Sequence, residues 1–331
     1  MLCLAVFVDF LIGEPPEMLH PTVWMGKVIY FFKERIRNEN ARIEKFYGAL
    51  MALFVIILFS LPPYFILSIV RVHLGRVAYI IVGGLLLKPT FAIKCMKQYS
   101  LRIAESIEIG NVNQAKSLLP FIVRRNPTGL DSQQVISATI ESIAESTVDG
   151  VTSPFFYFAL IGVPGAYAFR AVNTLDSMVG YKDSKHINVG WFSAKLDTLL
   201  NFVPARLTAF LMVLAAWLLR ENWKSAWKIL RRDRNKTESV NAGWPMSAMA
   251  GALTVQLEKP GFYVLGDKKD ALLPKHVPRA LHIMKLTVFL FWLLVVVPLQ
   301  TLIYDIIISY IAIFRLQLGY IGEIRKVCIC R

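Results

Sequence analysis

Apolar residues gather in six blocks, at about 2–13, 48–70, 77–93, 151–168, 199–219 and 286–314, and the stretches between them hold nearly all the charge. A helix needs about 20 mostly apolar residues to cross a bilayer. Blocks 48–70 and 286–314 meet that length, the second with Pro298 and Asp305 inside it. The other four carry interruptions: Asp9 in the first, Gly83-Gly84 and Lys88-Pro89 in the third, Pro154, Gly162 and Pro164 in the fourth, and Pro204-Ala205-Arg206 in the fifth. Broken helices at membrane depth are tolerated where protein buries them or a polar cavity borders them. The pattern therefore predicts an all-α, polytopic helical membrane protein with interrupted or re-entrant helices and amphipathic helices outside the bilayer. It reads as one integral membrane domain over 1–331, with polar insertions at 94–150 and 220–285 contributing to the site.

Composition strengthens this reading. The 331 residues are 55% hydrophobic and only 18% charged, against about a quarter charged in soluble chains, and the mean hydropathy is +0.50. Disorder and an ordinary soluble domain are excluded. The net charge of +14 belongs to loops rather than to a nucleic-acid groove, since no nucleic-acid-binding signature is present. If every block crosses, segments 14–47, 94–150 and 220–285 share one side with 25 Lys and Arg, against 10 on the other. The excess places those three segments in the cytoplasm and the chain in the cell membrane as a multi-pass protein. Strict alternation would then send segment 169–198 outside, away from the other polar clusters. A re-entrant pair formed by blocks 151–168 and 199–219 keeps all clusters on one side, and Pro154, Pro164 and Pro204 supply the breaks it needs. The four cysteines, Cys3, Cys95, Cys328 and Cys330, are too scattered for a disulfide framework.

Segment 131–149 is expected to be a helix capped by Asp131 and ended by Gly150, with an apolar stripe through Val135, Ile136, Ile140, Ile143 and Ala144. Glu141, Glu145 and Asp149 recur every four residues, so they share one face near the helix C-terminus. Such a face is either simply solvated or a site for a divalent cation or an ammonium, because stacked carboxylates at a helix C-terminus repel one another and the helix dipole. On a second helix Arg170, Asn173 and Ser177 line up with Asp176 beside them, which suits a capped helix end or a ligand face. Lys182 and Lys185 offer cations for phosphate, and Trp191, Asp197 and Asn201 add a polar face beneath an apolar block. Asn241-Ala242-Gly243-Trp244-Pro245 opens a short helix, Ser247 to Leu257, with Trp244 suited to stacking or to stapling a loop. His20, after Glu14-Pro15-Pro16, reads as structural. No phosphate loop, zinc-protease, nucleophile-elbow or dinucleotide motif is present.

Taken together, Gly13-Glu14-Pro15-Pro16 with His20-Pro21, Glu141-Ser142-Ile-Ala-Glu145-Ser-Thr147-Val-Asp149-Gly150, Arg170-Ala-Val-Asn173-Thr174-Leu-Asp176-Ser177, Gly190-Trp191, Lys195-Leu-Asp197, Asn201, Pro204-Ala205-Arg206 and Asn241-Ala242-Gly243-Trp244-Pro245 resemble the membrane-bound adenosylcobinamide-phosphate synthases of cobalamin biosynthesis. The motifs run in order from Asp9 to about Gly266. Lys195-Leu-Asp197-Thr198 departs from a more usual paired-aspartate run, and Arg124-Arg125-Asn126-Pro127 matches a family loop only loosely.

The resemblance implies an ATP- and Mg2+-dependent ligase that joins the free propionate of adenosylcobyric acid to aminopropanol or aminopropanol phosphate, with membrane lipid around it and its active site facing the cytoplasm. It marks these positions, and from their residue chemistry Asp176, Glu141 and Glu145 are expected to be catalytic and Glu141, Glu145 and Asp149 to be metal ligands. Arg170, Lys182 and Lys185 are expected to meet phosphate, Trp191 and Trp244 to stack on the corrin, and Asn173, Ser177, Asn201 and Asn241 to contact substrate. Two other classes are weighed against it: a transporter or binding protein for a corrinoid or other anionic metabolite, which lacks support from any inverted repeat, and a structural anchor, which leaves the carboxylates unused.

Overall fold

In a computed structural model, which describes residues 1–123, 125–181, 183 and 185–306, the long apolar blocks become long helices. The helices run α1 (Leu2–Leu11), α2 (Pro21–Lys33), α3 (Ala41–His73), α4 (Gly75–Leu87), α5 (Ile93–Glu108), α6 (Val112–Leu118), α7 (Ser132–Thr147), α8 (Ser153–Ile161), α9 (Val163–Val179), α10 (Trp191–Leu218), α11 (Trp223–Asp233) and α12 (Gly243–Leu253). A two-stranded antiparallel hairpin, β1 (Leu257–Lys259) and β2 (Tyr263–Leu265), precedes α13 (His276–Phe291). Segments Ala41–His73, Gly75–Glu108, Trp191–Leu218 and His276–Ile306 are long and apolar enough to cross a membrane. The expected all-α membrane architecture is thus present, with the hairpin as its small β component.

Several expected breaks are absorbed. Gly83 and Gly84 do not interrupt α4; a Cβ on either would come within 2.6 to 2.8 Å of Met1 or Leu4, so the pair lets α1 lie close against α4. Pro298 is preceded by a π turn, Trp292–Val296, a common way to fit extra backbone into a helix. Pro204 lies inside the continuous α10. It has no N–H for the Leu200 carbonyl, and the Tyr157 hydroxyl donates to that carbonyl instead at 2.9 Å.

The re-entrant pairing of blocks 151–168 and 199–219 is therefore corrected. Block 151–168 folds back on itself: α8 stops at Gly162, whose φ of +75° suits glycine, and α9 returns against α8. Tyr157 stacks on Phe169 with ring centroids 5.4 Å apart. At nine residues α8 is too short to span. Two further boundaries differ. The helix beginning at Asp131 has the expected cap, completed by Gln134 as a capping box, but Gly150 does not end it; a π turn over Val148–Thr152 carries the chain into α8. The helix expected at Ser247 to Leu257 is displaced to Gly243–Leu253, because Thr254 turns left-handed and Leu257 enters β1.

The loop after α9 packs on the start of α3. Asn188 donates to Glu44 at 3.0 Å, and the Lys45 ammonium lies over the Trp191 ring at 5.7 Å. Segments 14–47 and 185–190 consequently occupy one end of the bundle. Single cysteines at the exposed positions Glu39→Cys and Lys185→Cys, in a background lacking the native cysteines, should both react with a membrane-impermeant thiol reagent added from the same side. Labelling from opposite sides would contradict that arrangement.

Candidate functional site

Five parts of the chain close around a cavity of about 560 Å³: the segment from the turn after α1 to the start of α2, the junction into α5, the loop before α7, the α7–α9 region and the β hairpin. Glu141, Glu145 and Asp149 border it from α7 and the following π turn, and Arg170, Asn173 and Ser177 border it from α9. Six of the residues expected at the site are thereby brought together.

Glu141 is buried and fully engaged. The Arg125 guanidinium donates to it at 2.9 Å, the Ser137 hydroxyl at 2.7 Å and the Tyr263 hydroxyl at 2.7 Å. Ser137 also accepts from the Glu258 amide at 2.8 Å, which fixes β1 to α7 and holds Lys259 and Tyr263 beside the cavity. Glu145 lines the open cavity. Burial and the neighbouring Glu141 and Asp176 charges push its carboxyl above the usual carboxylate range. Asp149 is pushed well above that range by burial, then by Asp197, Glu145 and Asp176, with Arg170 opposing. These five carboxylates form one electrostatic neighbourhood, and Asp197 is held within it by Asn201 at 3.0 Å and Asn173 at 3.4 Å.

Two cationic groups face this acidic wall with donors left over. The buried Arg125 Nη1 and Arg170 Nε have no hydrogen-bond partner. Both residues line the cavity, and a buried guanidinium N–H without a partner is costly. On the far side lies Glu14. Burial opposes its ionisation, but the His20 hydrogen bond and the Lys88 charge outweigh that and hold its carboxyl below the usual range. The Thr22 amide donates to His20 Nδ1, which leaves Nε2 as the donor to Glu14 at 3.0 Å. Lys88, 3% exposed, bridges Glu14 at 3.0 Å and Asp9 at 2.9 Å.

The expected three-carboxylate metal site is not assembled as such: among the described residues no three His, Cys, Asp or Glu side chains converge for a metal ion. The physical reason is the π turn and the Arg125 pair, which leave Glu141 as an ion-pair partner and Glu145 with Asp149 as the open carboxylates. Asp176, expected to be catalytic, is not among the residues that line the cavity, although its charge reaches Glu145 and Asp149. Asn201 reaches the site only through Asp197, and Ser153 donates to it at 2.6 Å.

Other expected contacts fall elsewhere. Lys185 is exposed, its amide donating to Asp183, and Lys182 lies outside the described residues. Trp191 is occupied by Lys45. Trp244 has Arg206 and Arg234 each 4.8 Å from its ring centroid, and Asn241 bonds Arg206 and the Thr198 carbonyl. These residues join α10 to α12 and do not line the cavity. Sequence reasoning missed Arg125, Lys259 and Tyr263 as site residues and read His20 as structural. Glu14-Pro-Pro and His20-Pro were visible as a motif, but no spacing rule links position 125, 259 or 263 to Glu141.

A family model described as "CobD/Cbib protein" matches residues 2–291. A relative from Methanothermobacter thermautotrophicus, named a probable cobalamin biosynthesis protein CobD, is 43% identical over 293 residues, covering 88% of this chain and 95% of the relative. The cobalamin biosynthesis protein CobD of Dehalococcoides mccartyi is 40% identical over 278 residues, 84% of this chain and 90% of its own. A probable CobD from Thermoplasma acidophilum is 38% identical over 295 residues, with 89% and 95% covered. No solved structure matches.

Proposed function

Since the chain belongs to the CobD/Cbib family, we propose that it acts in cobalamin biosynthesis as adenosylcobinamide-phosphate synthase, an ATP-dependent amide-forming ligase. The observation that carries this reading is the division of one cavity into a wall of carboxylates and a pair of guanidiniums with unused donors. Amide formation from a carboxylate and an amine needs both: an anion-binding half for the propionate and phosphate groups, and an acidic half for the ammonium and a divalent cation. The cavity volume is in keeping with the reacting arms of the substrates, and in this reading the broad corrin stays at the mouth.

The propionate oxygen attacks the γ-phosphorus of ATP and ADP leaves, giving an acyl phosphate. The amine nitrogen then attacks the acyl carbon, inorganic phosphate leaves, and the nitrogen gives up its proton. Arg125 and Arg170 hold the anionic oxygens through each change of charge. The hard oxygens of Glu145 and Asp149, poorly ionised without a cation nearby, fit Mg2+; bound there, it would neutralise phosphate charge. Asp176 takes a proton from the ammonium, which frees the amine lone pair for attack on the acyl carbon. Its replacement, Asp176→Asn, should slow single-turnover amide formation about 100-fold or more while corrinoid binding persists.

Purified protein supplied with adenosylcobyric acid, aminopropanol phosphate, ATP and Mg2+ should consume both organic substrates and release ADP and phosphate. A parallel reaction with aminopropanol identifies the preferred amine. Retention of the corrinoid with no amide formed would instead support the binding-protein or transporter reading.

A further inference from the structure

A second cavity, about 640 Å³, opens between α1, α5 and α13. It shares no residue with the first. Its walls are polarised along the helix axes. At one end stand Lys94 and Lys97 of α5 and Lys285 of α13. Beyond Lys285, Val288, Phe289 and Trp292 continue the wall one and two turns further along the helix, and Val6 of α1 faces them. Lys285 is also where the polar start of α13 gives way to the apolar run from Leu286 onward, the position at which a lysine marks a membrane interface.

The charge at this end is uncompensated. Asp9 is the one acid bordering the groove, and both its oxygens are used: Oδ1 pairs with Lys88 and Oδ2 accepts the Lys94 amide. The Lys94 ammonium donates to the Leu11 carbonyl at 2.8 Å. Lys97 and Lys285 form no ion pair among the described residues, and each repels the other across the rim. Two lysines facing each other at the mouth of an apolar slot, at the depth where apolar helix begins, match a ligand with an anionic head and a hydrocarbon tail.

We propose that this groove binds one anionic phospholipid, its phosphate between Lys97 and Lys285 and an acyl chain along Val6, Phe289 and Trp292. A basic pocket between membrane helices is the expected receptor for an anionic headgroup, and the apolar wall adds the burial a free phosphate lacks. The lipid seals α1, which at ten residues is too short to cross, against α5 and α13.

Native mass spectrometry of the full chain released from nanodiscs containing equal phosphatidylglycerol and phosphatidylcholine tests this. One phosphatidylglycerol should remain bound through delipidation in preference to phosphatidylcholine. Lys97→Gln and Lys285→Gln should each lower that preference about fivefold, the effect of one cation beside an anionic lipid. Cys3→Trp, at an exposed residue of the groove wall, should block retention with both lysines intact. Equal retention of the two lipids, preference unchanged in the lysine double variant, or displacement by millimolar inorganic phosphate alone would overturn the proposal. So would a dimer of the chain occupying the groove in place of lipid.

Discussion

Glu145→Gln should abolish amide formation, lowering kcat by about 100-fold to 10,000-fold, while the protein stays as stable as the parent or becomes more stable. The two effects have one cause. Glu145 is held above the usual carboxylate range by burial and by Glu141 and Asp176, so its charged form is an electrostatic load on the fold. Because its pKa is higher folded than unfolded, it subtracts stability as pH rises from the unfolded carboxylate range through the folded pKa. Glutamine removes the load, so the parent's loss of stability over that rise should shrink in the variant. Catalysis loses the open carboxylate that attracts the cation or the ammonium. Thermal unfolding across pH 4 to 8, together with turnover, measures both. A variant that is inactive and also less stable at neutral pH would show that Glu145 supports the fold rather than the reaction.

The second large effect concerns a charge that no catalytic argument requires. Lys88 is enclosed between Asp9 and Glu14, and replacing it by methionine leaves a buried carboxylate pair with one of its partners gone. Removing one member of a buried ion pair costs about 3–5 kcal/mol, so Lys88→Met should yield little folded protein on fluorescence-detected gel filtration. The double variant Asp9→Asn/Lys88→Met should recover much of it, because Glu14 keeps His20 while the unpaired charge at position 9 is gone. If Lys88→Met alone folds with the parent's melting temperature, the bridge contributes nothing to stability. Glu14 borders the first cavity and Asp9 the second groove, so this bridge also ties the two cavities' walls together.

Helix content, membrane character and the carboxylate-rich face of α7 were legible in the chain because each depends on local quantities. Apolar length decides whether a helix can span, a four-residue period decides which side chains share a face, and Asp131 decides where α7 begins. The fate of each proline and glycine was not legible. Pro204 breaks α10 or leaves it whole according to whether something distant satisfies Leu200, and Tyr157 does so from 43 residues away. Gly83-Gly84 looks like an interruption until α1 is seen against it. The site divides in the same way. Glu141, Glu145, Asp149, Arg170, Asn173 and Ser177 could be read from motif and helical period, whereas Arg125, Lys259 and Tyr263 come from a loop and a hairpin on either side of α7 in the sequence. Pairing of Glu141 with Arg125 and Tyr263 removes it from the open carboxylates, and only three-dimensional contact could decide that. Sequence alone determined that the chain is helical and apolar enough for a membrane and which side chains share the charged face of α7, because helical period and hydropathy act over a few turns. Tertiary structure decided which charges are neutralised and which stay open to a ligand, because ion pairing and burial depend on groups that only folding brings within a few ångströms.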